Sequence, residues 1–325
     1  MQGKVTLEDH FAIEATVNNS HRYGPHVWEV LRYRLLDFQE QRLRLMDESG
    51  VEIMIVSLNS PGPQAVPDVR GAVELAHQAN DVLANEIAKR PDRFAGFAAL
   101  PMQDPEMAIG EAQRCISDLG FKGVLVHGYT EIDGKLVHYD LPQYRPFWRA
   151  IEALDVPFYL HPRPPLAGLS PLYDGHPWLF GPRWSFAAET SLHALRLIGS
   201  GLFDDCPRLK IILGHLGEGL PFYLWRIDNA NNWMNPPAPR YAAKKKVAEY
   251  FRANFHLTTS GHFNTPELIN SIAEIGVDRV MFSIDYPFED FSDAADWFDN
   301  AEIGDVDRRK IGRSNAMKLF KLKDV

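Results

Sequence analysis

Eight short apolar runs, each followed by a helical pattern, constrain this chain more than any other feature. They fall at residues 5–7, 53–58, 94–100, 124–126, 156–160, 209–213, 255–259 and 280–284, and are rich in β-branched residues. Near-continuous hydrophobicity is what parallel strands need when they are covered on both faces. The intervening helices have readable ends. Asp104 followed by Pro105 reads as a cap and first helical residue, and Gly120 closes that helix after Leu119. Thr265–Pro266–Glu267 starts another, which Gly276 stops; Ser292 and Asp305 read as caps for the last two, and Gly50 ends the helix before the second run. Strand then helix, repeated about eight times, predicts an α/β fold of the (β/α)8 TIM-barrel type. The competing doubly wound sheet needs a glycine-rich turn after its first strand. This chain has LEDHFA there, with no glycine.

Two connections are long for a plain barrel. Residues 11–36 are rich in His, Tyr and Trp, and residues 162–185 in Pro, Gly and aromatics. Both follow a strand, so both are expected over the C-terminal face, where barrel active sites sit. With no internal repeat or linker, residues 1–325 read as a single domain.

Composition narrows the function classes. The net charge is −9 with a hydrophobic content of 45%, and no basic stripe is present, which argues against nucleic acid as a partner. The one dense basic run, Lys244 to Lys246, reads as a solvated helix face. Cys115 and Cys206 are too few for a disulfide framework and fit a reducing, cytoplasmic setting. The N-terminal stretch carries Glu8, Asp9 and His10 where a signal peptide would need an unbroken apolar core. No run of ~18 apolar residues exists to span a membrane.

The polar residues that end the strands carry the chemistry. Glu8 and His10 are two apart, so a strand points both to one face and Asp9 to the other. His161 ends the fifth run, His215 follows the sixth and Asp285 the eighth. Strand ends of a barrel converge on one mouth. Two carboxylates with two or three imidazoles there can hold one divalent cation: zinc, manganese or magnesium. Singly, each residue has a plainer role as a structural histidine, an ion-pair partner or a loop cap. Together, at four strand ends, they point to a metal.

LEDHFA, VPFYLHPR (156–163), IILGHLGEGLPF (211–222), LTTSGHF (257–263), FSIDYPFE (282–289) and IGRSNAMKLFKL (311–322) give the chain a resemblance to a known family along nearly its whole length. It resembles the amidohydrolase superfamily and, more narrowly, its branch of nonoxidative aromatic acid decarboxylases. The resemblance implies Glu8, His161 and Asp285 as metal ligands. His10 falls at a position that is His in some members and Ala in others, and is counted here as a fourth ligand. His215 and Glu218 match the pair beside the metal-bound aspartate. Many superfamily hydrolases open with His-x-His and bridge two metals through a strand-four Lys or Glu. Here Glu8-x-His10 and His127 stand in those places, which implies one metal.

The implied reaction is reversible, metal-dependent decarboxylation of an ortho-hydroxybenzoate: 2,6-dihydroxybenzoate to resorcinol first, 2,3-dihydroxybenzoate or salicylate as alternatives. The metal serves as Lewis acid and template, Asp285 delivers the proton, and His215 and Glu218 share it. Glu218 is expected in the first turn of a helix beginning near Gly217. Tyr23 and Phe288 are the expected pocket walls, with Trp28, Trp178 and Trp184 as further candidates. Arg226 is the expected carboxylate or hydroxyl contact, with a surface or subunit contact as its alternative; Arg163 is a second candidate. His176 reads as a loop residue and His193 as structural. The resemblance also implies a homodimer or homotetramer. Other functions kept open are a lactone or amide hydrolase, a hydratase or isomerase of a ring-cleavage product, and a non-enzymatic metal-binding role.

Overall fold

The computed structural model describes residues 1–20, 24–165, 171–233 and 241–323. Eight strands form the sheet: β1 (Lys4–Phe11), β2 (Val51–Leu58), β3 (Phe94–Ala98), β4 (Gly123–His127), β5 (Phe158–His161), β6 (Ile211–Leu213), β7 (Phe255–Thr258) and β8 (Val280–Met281). They pair in sequence order and all in parallel, with helices between them, so the TIM-barrel expectation holds. The chain after β8 returns to β1 and nearly closes the barrel. Asp285 N donates to Glu8 O at 3.0 Å and His10 N to Tyr286 O at 2.6 Å. The Ser283 hydroxyl accepts from the amides of Leu7 and Glu8, at 3.2 and 2.8 Å.

Alternation along the strands sorts side chains into two cores. Val5, Leu7, Ile53, Ile55, Phe97, Leu125, Tyr159, Ile212 and Met281 pack inside the barrel, plugged by Ala316, Leu319 and Phe320. The opposite faces pack against the helices. On β1 this parity changes. Thr6 pairs with Met54 and Asp9 with Val56, so β1 carries one residue more than β2 across that interval. Below this bulge the odd-numbered Val5 and Leu7 face inward; above it Phe11 joins the outer core. Glu8 and His10 are thereby turned toward the mouth. Bulges next to active sites commonly re-aim side chains in this way.

The Asp104 cap is confirmed: its carboxylate accepts from the amides of Glu106 and Met107, although the helix ends at Ser117, before Leu119. Two cap expectations are corrected. The last helices are preceded by Asp290 and Gly304, which puts Ser292 and Asp305 inside them. Lys244 to Lys246 are exposed, but they lie just before a helix, Val247–Asn254, instead of on one. A short antiparallel hairpin, Thr130–Ile132 with Lys135–Val137, follows β4 and departs from the plain repeat. The first insert contributes a helix, Pro25–Leu36, whose Trp28, Leu31 and Leu35 pack on Ala12 and Val17, with Phe288 against the same cluster. No helix among the described residues is long and apolar enough to cross a membrane.

Candidate active site

Glu8, His10, His161 and Asp285 come together although 277 residues separate Asp285 from Glu8: one ligand atom from each lies within 4.8 Å of all the others. His161 Nε2 is 3.2 Å from Glu8 Oε1, and His10 Nε2 is 3.2 Å from Asp285 Oδ1. Glu8 is wholly buried, so its charge needs local compensation. Its two oxygens are used differently. Oε2 accepts from the hydroxyls of Tyr159 and Ser260, and from Thr258 at 3.2 Å. Oε1 has no hydrogen-bond partner among the described residues, nor has His10 Nε2, although each has its ion-pair neighbour close by. Buried acceptors left this way, facing one another across a small space, suit a cation held between them. Their crowding suits bonds of about 2.0–2.2 Å to one shared cation, and a mixed carboxylate and imidazole donor set suits zinc, manganese or magnesium.

The surrounding groups hold these side chains in register. His10 Nδ1 is 3.0 Å from Ser57 Oγ, and the backbone oxygen of His10 accepts from the buried guanidinium of Arg42 at 2.8 Å. Asp9 faces away, as expected, and accepts from Tyr286 N at 3.1 Å. Burial pushes the Asp9 carboxyl up to about 7, against Thr6, the Tyr286 amide and Arg42. Burial also opposes a charge on Glu8. There the neighbouring His215 and His161, with the Ser260 hydroxyl, win and hold the carboxyl well below its usual range.

His215 sits on the open side of the cluster. Its Nδ1 is 2.7 Å from Glu218 Oε1, and its Nε2 lies 3.7 Å from Glu8 Oε1 and 3.9 Å from Asp285 Oδ2. Burial disfavours its cation, but Glu218, Glu8 and Asp285 together raise its pKa well above that of a free histidine. The backbone here corrects an expectation. His215, Leu216, Gly217, Glu218 and Gly219 all have φ between 51° and 88°, a left-handed turn, and the helix begins only at Leu220. Glu218 is therefore no helix first-turn residue. Left-handed backbone costs a non-glycine residue about 1–2 kcal/mol, and three such residues here serve to aim His215 and Glu218 at each other. Asp285 too has a positive φ, 81°. Its side chain is 17% exposed and that of His215 19%, against 0–7% for Glu8, His10 and His161, so the site opens toward Asp285 and His215.

The other expected residues divide. Phe288 stands at the mouth, its ring 6.0 Å from that of His10. Tyr23 lies outside the described residues. Trp28 is buried in packing, and Trp178 and Trp184 are more than half exposed. Arg163 is buried and clamps loops, its Nη1 donating to the carbonyls of Gln64 and Tyr129. Arg226 is exposed on the helix Leu220–Trp233, beside Trp225. His176 is an exposed loop residue, and His193 is structural, accepting from Tyr139 N. Sequence reasoning misses Ser57, and also Tyr159, Thr258, Ser260 and Ser283. The signal for the last four is the same spacing of two that links Glu8 with His10: Tyr159 with His161, Thr258 with Ser260, Ser283 with Asp285. Ser57 lies outside that pattern.

Residues 23–322 match the amidohydrolase family. The chain is 60% identical over 325 residues to γ-resorcylate decarboxylase of Rhizobium sp. (strain MTP-10005), covering 99% of each. Its fold matches a crystal structure of 2,6-dihydroxybenzoate decarboxylase complexed with 2,6-dihydroxybenzoate, at a TM-score of 0.96 and 59% identity, covering 99% of this chain and 100% of that one. It also matches a dihydroxybenzoic acid decarboxylase from Polaromonas sp. JS666 with bound manganese and the inhibitor 2-nitroresorcinol, at a TM-score of 0.97 and 55% identity, covering 100% of this chain and 98% of that one. On its sequence, its barrel and the side chains gathered at the mouth, this chain belongs to the amidohydrolase family, in the branch that holds the γ-resorcylate decarboxylases.

Proposed function

We propose that this chain is a metal-dependent carboxy-lyase that converts 2,6-dihydroxybenzoate to resorcinol and carbon dioxide. The observation that carries it is the convergence of Glu8, His10, His161 and Asp285, with His215 beside the carboxylate that faces the opening. The activity named for its 60% identical relative supports the substrate, and the manganese-bound neighbour supports that metal, with zinc and magnesium as the other candidates. A divalent cation held by those four side chains would supply a Lewis acid and a template for the ortho-hydroxy carboxylate.

The chain's own groups supply the proton. Asp285 gives it to the ring carbon that bears the carboxylate. As carbon dioxide leaves, the electrons of the broken carbon–carbon bond restore the aromatic ring, and Asp285 is left ionised. His215 replaces the proton. Its Nε2 faces Asp285 Oδ2 at 3.9 Å, and Glu218 on Nδ1 stabilises the imidazolium between turnovers. Phe288 forms one wall of the pocket, shielding the cluster from water beside His10.

Further features support a wider reading. Phe222, Tyr223 and Trp225 are 53–76% exposed on the helix that carries Arg226. An apolar surface of this kind favours self-association, here a homodimer or homotetramer with Arg226 in the subunit contact. The buried free thiols of Cys115 and Cys206 suit a cytoplasmic setting. Residues 1–325 form one domain in this reading. A steady-state assay with 2,6-dihydroxybenzoate, 2,3-dihydroxybenzoate and salicylate tests the proposal. Carbon dioxide and resorcinol should form from the first. No turnover of 2,6-dihydroxybenzoate, whether or not the other two react, or lactone hydrolysis in its place, overturns it.

A further inference from the structure

His127 is buried at the end of β4, directly opposite His161 on β5, and the proposed mechanism gives it no task. Its two nitrogens meet different partners. Nε2 lies 2.9 Å from the carbonyl oxygen of Leu58, and Nδ1 lies 2.9 Å from His161 Nδ1. The two rings stand at 87° to each other with centroids 4.7 Å apart. The ring is also fixed in place. Its backbone amide donates to Gln64 Oε1 at 3.3 Å, and its Cδ2 packs on the bare Cα of Gly62, where an added Cβ would approach to 3.1 Å at a φ of +56°.

These contacts determine where the protons sit. A carbonyl oxygen only accepts, so His127 Nε2 carries the hydrogen and its Nδ1 presents a lone pair. Two nitrogens 2.9 Å apart share one proton, which His161 Nδ1 must then carry. The Pro162 carbonyl oxygen, 2.7 Å from the same His161 nitrogen, accepts from it too. His161 Nε2 is left bare, 3.2 Å from Glu8 Oε1. Two lone pairs facing each other in a buried site repel unless a cation lies between them.

We infer that His127 is a positioning residue that fixes His161 in the Nδ1-protonated tautomer and aims its Nε2 lone pair at the cation. The inference rests on the proposed reading of the cluster as a metal site. Partners of this kind orient metal-ligating imidazoles and raise their basicity, and losing one typically costs 10–100-fold in metal affinity.

Two substitutions separate this role from plain packing. His127→Asn puts an amide oxygen near the place of Nδ1 and keeps an acceptor for His161. His127→Gln keeps reach to the Leu58 carbonyl and loses that acceptor. Manganese(II) alone, titrated in competition with a chelator, should bind His127→Gln about tenfold more weakly than wild type, the low end because the Pro162 carbonyl still accepts from His161, and His127→Asn close to wild type. Nitrogen NMR of wild-type protein loaded with diamagnetic zinc or magnesium and labelled at histidine should find His161 protonated on Nδ1 alone and His127 on Nε2. That measurement needs no variant, so it decides the matter even if a substituted chain fails to fold. His127 protonated on Nδ1 overturns the inference, as does a folded His127→Gln that binds manganese as tightly as wild type. Wild-type protein that binds manganese but leaves 2,6-dihydroxybenzoate untouched would sink the proposed reaction and leave the tautomer result standing.

Discussion

Replacing Tyr159 by Phe isolates the device that orients Glu8. The hydroxyl donates to Glu8 Oε2 and lies 2.9 Å from Thr258 Oγ1, while the ring packs edge-on against Phe97 at 5.8 Å inside the barrel. Phenylalanine keeps that packing and removes one oxygen atom, so no large cavity adds to the effect. Ser260 and Thr258 still donate to Oε2, so the carboxylate loses one hydrogen bond of three and is not orphaned. A hydrogen bond to a charged group contributes about 1.5–3 kcal/mol, and this one forms without any metal. Most of the loss should therefore appear as stability of the metal-free protein, lowering Tm by about 2–4 °C. Metal affinity should fall by less, about tenfold at most, because the bond is present before and after binding. Thermal unfolding of chelator-treated protein and a competitive manganese titration read the two terms separately. An unchanged Tm in the metal-free state would refute the reasoning, as would a loss of metal affinity that exceeds the loss of stability.

Three other outcomes are expected. Asp285→Asn should retain a folded barrel and slow release of carbon dioxide from 2,6-dihydroxybenzoate by about 10²–10⁴-fold or more; near-normal turnover removes Asp285 as the proton donor. Dialysis against a strong chelator should abolish activity and lower Tm, and manganese at ~100 times its Kd should restore about 2.7 kcal/mol of stability; a Tm indifferent to metal contradicts a site at Glu8, His10, His161 and Asp285. Burial, with Arg279 and Lys210 nearby, pushes His256 down to about 3 from 6.5, so the unfolded chain takes up its proton first as pH falls. Stability from His256 is complete above about pH 6.5 and is lost progressively toward pH 3, and His256→Gln should flatten that part of a urea-unfolding series against pH. An unaltered pH slope in the variant rules this out.

Much of the site is legible in the sequence because strand chemistry has a period of two and barrel strands share one mouth. Glu8 with His10, then His161, His215 and Asp285, follow as strand-end candidates from that geometry, and the family resemblance sorts the ligands from the His215 and Glu218 pair. The bulge in β1 does not, since it is visible only when the pairing of Thr6 with Met54 is set against that of Asp9 with Val56. The hydroxyls of Tyr159, Thr258 and Ser260 look like ordinary strand residues until register places all three on one oxygen of Glu8. The spacing of His215 and Glu218 is readable, but the helix expected to begin near Gly217 begins only at Leu220. Gly217 and Gly219, both at positive φ, are the local signal for the left-handed turn. Arg163 shows the reverse case: a charged residue beside a ligand suggests recognition, and only the fold reveals that it braces loops.

The seam between the first and last strands has a consequence for biosynthesis. Glu8 leaves the ribosome early, yet the amide that caps its backbone oxygen belongs to Asp285, and the hydroxyl that receives its own amide belongs to Ser283. Glu8, His10 and His161 by themselves leave the cluster one donor short of the four that meet in the folded chain. The same segment that joins the last strand to the first thus supplies the fourth donor, so that closing the ring and completing the donor set are one structural event.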